Sequence, residues 1–124
     1  MPFIRSLPFE EPLDVADLVE GITRDFAQDT GIALENVIAT WTFLEPGHYA
    51  VGGHAVSHQP RSSHPVLVDL LASDRHSPAA FEGMLASAAA SVSARAGVPI
   101  ENVFINHRAA QSGTVFDAGQ IVRW

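Results

Sequence analysis

The basic side chains of the sequence are Arg5, Arg24, Arg61, Arg75, Arg95, Arg108 and Arg123, with no lysine in 124 residues. Amine chemistry is therefore available only at the chain terminus, Met1-Pro2. A guanidinium stays charged and offers a carboxylate a planar fork of donors, but it supplies neither a Schiff base nor a general base. There is no cysteine, which excludes disulfides, thiolate catalysis and cysteine-ligated zinc. His48, His54, His58 and His64 fall in segments read as hairpin and loop, not at i, i+4 on a helix, so no metal site is expected. Gly52-Gly53 lacks the strand-to-helix setting of a dinucleotide fingerprint.

These groups need a scaffold. At 124 residues and 47% hydrophobic, the chain fits one packed domain. Its formal charge of −7 leaves no basic patch to grip a phosphate backbone, so nucleic acid is not an expected partner. No apolar run approaches a membrane span and the N-terminus has no secretion signal, so no membrane partner and a cytoplasmic location are expected.

The sequence repeats itself. Gly31-Ile32-Ala33-Leu34-Glu35-Asn36-Val37 recurs 66 residues later (31 to 97) as Gly97-Val98-Pro99-Ile100-Glu101-Asn102-Val103. The same shift maps Pro12 onto Pro78, Gly47 onto Gly113 and Gly53 onto Gly119. It also maps Val15, Leu18, Val19, Ile22 and Phe26 onto Phe81, Met84, Leu85, Ala88 and Val92, one stripe of an amphipathic helix in each copy. The pattern predicts helices of about 18 residues, opening at Pro12 and Pro78 and closing at Gly31 and Gly97. Extended runs flank them: Phe3 to Leu7 and Val66 to Ala72 before, Val37 to Phe43 and Val103 to His107 after.

Two β-α-β units, about 1-58 and 64-124, thus make a single α/β (α+β) domain over 1-124, with four main strands and two helices on one sheet face. Val66, Val68 and Leu70 alternate with Leu67, Asp69 and Leu71, so one parity is apolar and the other largely so. Burial on both faces is expected, with other subunits covering the face that the helices leave open. Gly47 to Gly53 and Gly113 to Gly119 read as glycine-punctuated hairpins that meet neighbouring chains, and His58 to Pro65 reads as a connecting loop.

Pro2 after Met1, a strand, an amphipathic helix and the run Gly47-His48-Tyr49-Ala50-Val51-Gly52-Gly53 together resemble the tautomerase superfamily. The first unit resembles a 4-oxalocrotonate tautomerase subunit. The whole chain resembles the fused two-unit members, including macrophage migration inhibitory factor, malonate semialdehyde decarboxylase and the cis-3-chloroacrylic acid dehalogenases. Val103-Phe104-Ile105-Asn106 is similar to the Val-Tyr-Ile-Asn strand of the migration inhibitory factor group. The resemblance implies a four-stranded mixed sheet, a homotrimer with sites near subunit interfaces, removal of Met1, and a free secondary amine on Pro2 acting as general base. It implies no cofactor. A desolvated α-amine would lose its proton near neutral pH, as that role requires.

The implied substrate is a small carboxylate, a 2-keto or enol acid. Arg75 lies in a turn resembling the Gly-Arg-Ser turn of the family's substrate-binding arginine; counted back from the helix, His76 takes that position. Arg75 alternatively forms a plain ion pair with Asp74 or another carboxylate. The resemblance puts Asn106 and Tyr49 at substrate-binding positions, although Asn106 equally suits strand-edge backbone groups and Tyr49 suits packing. Asp117 falls close to the water-activating glutamate of the dehalogenases. The second arginine of 4-oxalocrotonate tautomerase aligns with Ile38, and the tyrosine of the Val-Tyr-Ile-Asn strand with Phe104. Three functions follow: a Pro2-dependent tautomerase or isomerase; a dehalogenase, hydratase or decarboxylase with Pro2 as general acid; or a catalytically idle trimer.

Overall fold

A computed structural model describes all 124 residues. The main elements are β1 (Pro2–Ser6), α1 (Val15–Thr30), β2 (Thr40–Phe43), β3 (Ala50–Val51), β4 (His54–Ala55), β5 (Val66–Ser73), α2 (Pro78–Ala96), β6 (Val103–Ala110), β7 (Val115–Asp117) and β8 (Gln120–Val122). The central sheet runs β2-β1-β5-β6. Strands within each unit are parallel, and β1 meets β5 antiparallel. The fold is the expected four-stranded mixed sheet with two helices on one face.

An internal two-fold relates the units, and the register shows where it passes. Phe3 pairs with Asp69, its own counterpart 66 residues on. Across the helices, Ser91 Oγ donates to Asp25 Oδ2 at 2.6 Å, and these two are again 66 apart. The antiparallel helix pair continues with Ser87 Oγ on Asp29 Oδ2 at 2.7 Å, while the Arg95 guanidinium lies against Gly21. Any Cβ at position 21 would strike that guanidinium, so glycine there is what admits it.

Arg95 also grips both oxygens of Asp25, at 2.7 and 2.8 Å, which with Ser91 holds the Asp25 carboxyl down to about 2 from 3.8. A group whose pKa is lower folded than unfolded contributes stability above its unfolded value and loses it as pH falls through the folded one. Asp25→Asn should therefore flatten the acid limb of stability between those two values. At neutral pH it should cost about 1 kcal/mol, since the pair is partly exposed and screened. Urea titrations at pH 7 and pH 3 check this.

Local chemistry sets the helix ends. Ser77 Oγ accepts from Ala80 N at 3.1 Å, so α2 starts at Pro78 as expected. The first unit differs: α1 begins at Val15, capped by Asp14, and Pro12 lies outside it. Glu11 stands where the second unit has Ser77, and glutamate is a poorer N-cap than the aspartate three residues later. Gly31 and Gly97 close the helices with φ of 75° and 68°, in the left-handed region that favours glycine.

The core has two clusters. Ile4, Leu18, Ile22, Val66, Val68 and Val92 fill one end; Phe26, Leu70, Phe81, Met84 and Ala88 fill the end where β1 begins. Within the chain, β5 is buried on one face only: Val66, Val68 and Leu70 lie beneath the helices, and Leu67, Asp69 and Leu71 are half-buried on the open side. Burial on both faces is thus not met within one chain, because both crossover helices pack on the same side. The hairpins lie two or three residues later than expected, turning at Gly52-Gly53 and at Ala118-Gly119, all with positive φ. In the second hairpin Phe116 and Ile121 are paired neighbours and exposed.

Candidate functional site

Pro2 opens β1 and is fully buried on the helix side, paired with Leu70. The preceding residue is bonded to β5 twice: the Met1 amine donates to Leu71 O at 2.7 Å, and Leu71 N donates to Met1 O at 3.0 Å. Since bonding alternates along an antiparallel strand, the Pro2 nitrogen faces away from β5. It points toward the edge where β2 has not yet begun, beside Ile38 and Ala39. Burial pushes the Met1 amine down to about 6 from 8.0, against a smaller opposing effect of the Asp69 carboxylate. This end of the sheet is poor in water and disfavours a protonated amine.

The opposite end is closed. Pro2 maps by the repeat onto Val68, an ordinary residue within β5. The connecting loop plugs the sheet there: Gln59 Nε2 donates to His64 O, and the buried His64 ring bonds His54 O and Ser63 Oγ. The duplicated fold therefore presents one such terminus per chain.

The turn after β5 lies at the Pro2 end. Arg75 is exposed there and makes no ion pair, not even with adjacent Asp74, whose Oδ1 accepts from Trp124 Nε1 at 2.8 Å. His76 is half-buried, edge-on to Phe81, and lines a shallow hollow of about 190 Å³ with Asp29, Thr30, Gly83 and Met84. That hollow lies between the helix ends and does not include Pro2. In the first unit Phe9 replaces Arg75 and packs on Trp41 and Phe43, an aromatic corner with no affinity for an anion.

Asn106 sits on the open sheet face beside Asp69, with Nδ2 donating to Asp69 Oδ1 at 3.3 Å. Tyr49 and Asp117 are not brought to Pro2 within one chain. The Tyr49 hydroxyl donates to Pro65 O at 2.8 Å and its ring meets the His64 ring edge-on, so it stands at the far end of β5. Leu70 is five positions along the strand from Pro65, about 17 Å. Asp117 is exposed near the turn of the β7-β8 hairpin.

Groups the sequence reading passed over cluster near the terminus. Arg108 binds Asp69, with Nε at 3.0 Å and a second guanidinium nitrogen at 2.7 Å from Oδ2. His107 stacks on Phe81 at 4.4 Å between ring centroids, in the same cross-strand row as Leu70 and Pro2. Ser73 Oγ is buried without a hydrogen-bond partner. A lone aspartate within the apolar run Val66 to Ala72 was the available signal for the first pair.

No protein-family model and no curated protein matches the chain. Solved structures do. Fused 4-OT, as an asymmetric trimer, matches with a TM-score of 0.81 at 16% identity over 96% of this chain and 94% of that one. Pt0534 inactivated by 2-oxo-3-pentynoate matches at 0.78 and 17% identity over 98% and 94%. Malonate semialdehyde decarboxylase matches at 0.70 and 14% identity over 98% and 93%. The chain has the tautomerase-superfamily fold in its two-unit, fused form. At these identities the likeness concerns architecture.

Proposed function

We propose that the chain, with Met1 removed, is a cofactor-independent tautomerase or isomerase of a small 2-keto or enol monoacid, working as a homotrimer with Pro2 as general base. The carrying observation is the terminus of β1, where burial drives an α-amine down to about 6. Excising Met1 moves the amine one residue inward, to a residue that is itself fully buried. A base with that environment is proton-free at neutral pH and within reach of the operating pH, which favours proton transfer in both directions.

The reaction conserves atoms and electrons. The Pro2 nitrogen takes the proton from the enol oxygen as the C–O bond becomes a carbonyl, and the resulting ammonium returns it to carbon. Arg75, free of carboxylate partners, binds the substrate's carboxylate through two parallel N–H donors. The trimeric state is supported by the fused 4-OT neighbour, and Pt0534's inactivation by an acetylenic keto acid supports the substrate class. The malonate semialdehyde decarboxylase neighbour, with hydratase activity, keeps a general-acid role for Pro2 as the second reading.

Ketonisation of phenylenolpyruvate, an enol monoacid, is the expected activity. Release of halide from 3-haloacrylates, or of carbon dioxide from malonate semialdehyde, without ketonisation would replace this reading with the second. Arg75→Gln should lower kcat/KM by about 10-fold to 100-fold, chiefly through KM, the loss of a charge-assisted bond to a carboxylate. An unchanged KM would move the anion site elsewhere.

A further inference from the structure

We propose that Trp124 is a positioning residue for Arg75: its indole N–H holds the Asp74 carboxylate and so keeps that acid off the neighbouring guanidinium, leaving Arg75 open to a substrate's carboxylate. The inference deepens the reading of Arg75 as the anion-binding side chain and rests on it. Asp74 and Arg75 are consecutive, oppositely charged and exposed in the turn after β5, so a carboxylate free to turn would neutralise the guanidinium beside it. It is not free to turn. Asp74 Oδ1 accepts from Trp124 Nε1 at 2.8 Å, a bond to an ionised acceptor and hence stronger than a neutral one. Arg75 is left without an ion pair.

Both partners are anchored from behind. Asp74 N donates to Ala110 O at 2.9 Å, which ties the turn to the end of β6. Trp124 N donates to Ser112 Oγ at 2.9 Å, and Gly113 N donates to Val122 O at 2.9 Å to close the root of the β7-β8 hairpin just before it. The indole thus reaches Asp74 from a frame that does not depend on Arg75. Two other acids at this end are also engaged, Asp29 by Ser87 and Asp69 by Arg108. The repeat supplies a control. Moved back 66 residues, Asp74, Arg75 and Trp124 become Pro8, Phe9 and His58, so the arginine, the acid beside it and the indole are missing together from the first unit. The acid-binding indole occurs in the unit that has an arginine to keep free.

Phenylalanine keeps a ring at position 124 but has no donor. Trp124→Phe should raise KM for phenylenolpyruvate by about 3-fold to 5-fold with kcat nearly unchanged, the modest size expected of an exposed ion pair competing for Arg75. With Asp74→Asn already in place, the same Trp124→Phe change should leave KM where it was, because an amide cannot neutralise a guanidinium. An equal rise in both backgrounds, as loosening of the hairpin would give, overturns the proposal, and so does no rise in either while Arg75→Gln does raise KM. The Arg75 Nε–H resonance, assigned by its loss in Arg75→Gln, gives a reading that needs no substrate. Its exchange with water should slow several-fold in Trp124→Phe and return to the wild-type rate when Asp74→Asn is added. An unchanged exchange rate overturns the guarding role of Trp124 whatever the kinetics show. Slowed exchange, with KM unmoved in both Trp124→Phe and Arg75→Gln, would keep that role and overturn Arg75 as the carboxylate site.

Discussion

Pro2→Ala is expected to lower kcat/KM for ketonisation by about 10²-fold or more, because general-base catalysis typically contributes 10² to 10⁴. Alanine leaves a terminal amine at the same place after Met1 removal. It loses the ring that fills the space beside Leu70 and holds the nitrogen toward the β2 edge. The amine becomes mobile, and misplacement of a catalytic group by about 1 Å is enough to cost roughly 100-fold. A variant that keeps Met1, verified by intact mass, should lose the activity altogether, since an acylated nitrogen has no basic lone pair. Treatment of the wild type with 2-oxo-3-pentynoate should add one inhibitor mass to the N-terminal peptide. Full activity with Met1 present, or in Pro2→Ala, would overturn Pro2 as the base, and a wild type without activity would leave the idle-trimer reading standing.

Phe26→Ala should destabilise the fold by about 3–5 kcal/mol, the usual cost of emptying a fully buried aromatic site. Phe26 is 1% exposed and lies in the cluster with Leu70, Phe81, Met84 and Ala88, between α1 and the sheet end that carries Pro2. Against a total stability of about 5–15 kcal/mol, this is a large fraction for a small domain. Urea unfolding followed by tryptophan fluorescence reads it. Trp41 is a suitable reporter, its indole nitrogen bonded to Ser6 Oγ at 3.1 Å. The midpoint should fall with an unchanged slope. A loss below about 1 kcal/mol would mean the site collapses around the deletion.

Most of the architecture was legible because local chemistry repeats with it. The 3.6-residue stripe identified Leu18, Ile22, Phe26, Met84, Ala88 and Val92, all of them buried. Glycines 31 and 97 marked the helix ends, since a left-handed residue is needed there whatever the rest of the fold does. The start of α1 escaped because Pro12 and Pro78 look equivalent, while the side chain that accepts the capping bond, Asp14 or Ser77, does not sit at equivalent positions. Burial of β5 on both faces was read from its composition, with other subunits covering the open face, and within the chain the helices do cover only one face.

The candidate site divides along the same line. By itself the sequence determined that a single terminal amine exists, that seven arginines are the only fixed cations, and that the chain is two copies of one β-α-β unit, because residue identity and spacing carry all three. Tertiary structure decided which of them meet. Antiparallel pairing of β1 with β5 sets Phe3 opposite Asp69, 66 positions away, and so brings the terminus to the strand that carries this aspartate. The parallel pairing of β5 with β6 then delivers Arg108 to that aspartate, while the bond to Pro65 O holds Tyr49 at the other end. Sheet register is a relation between distant segments, fixed by how two apolar faces dock under one pair of helices, and no local pattern encodes it.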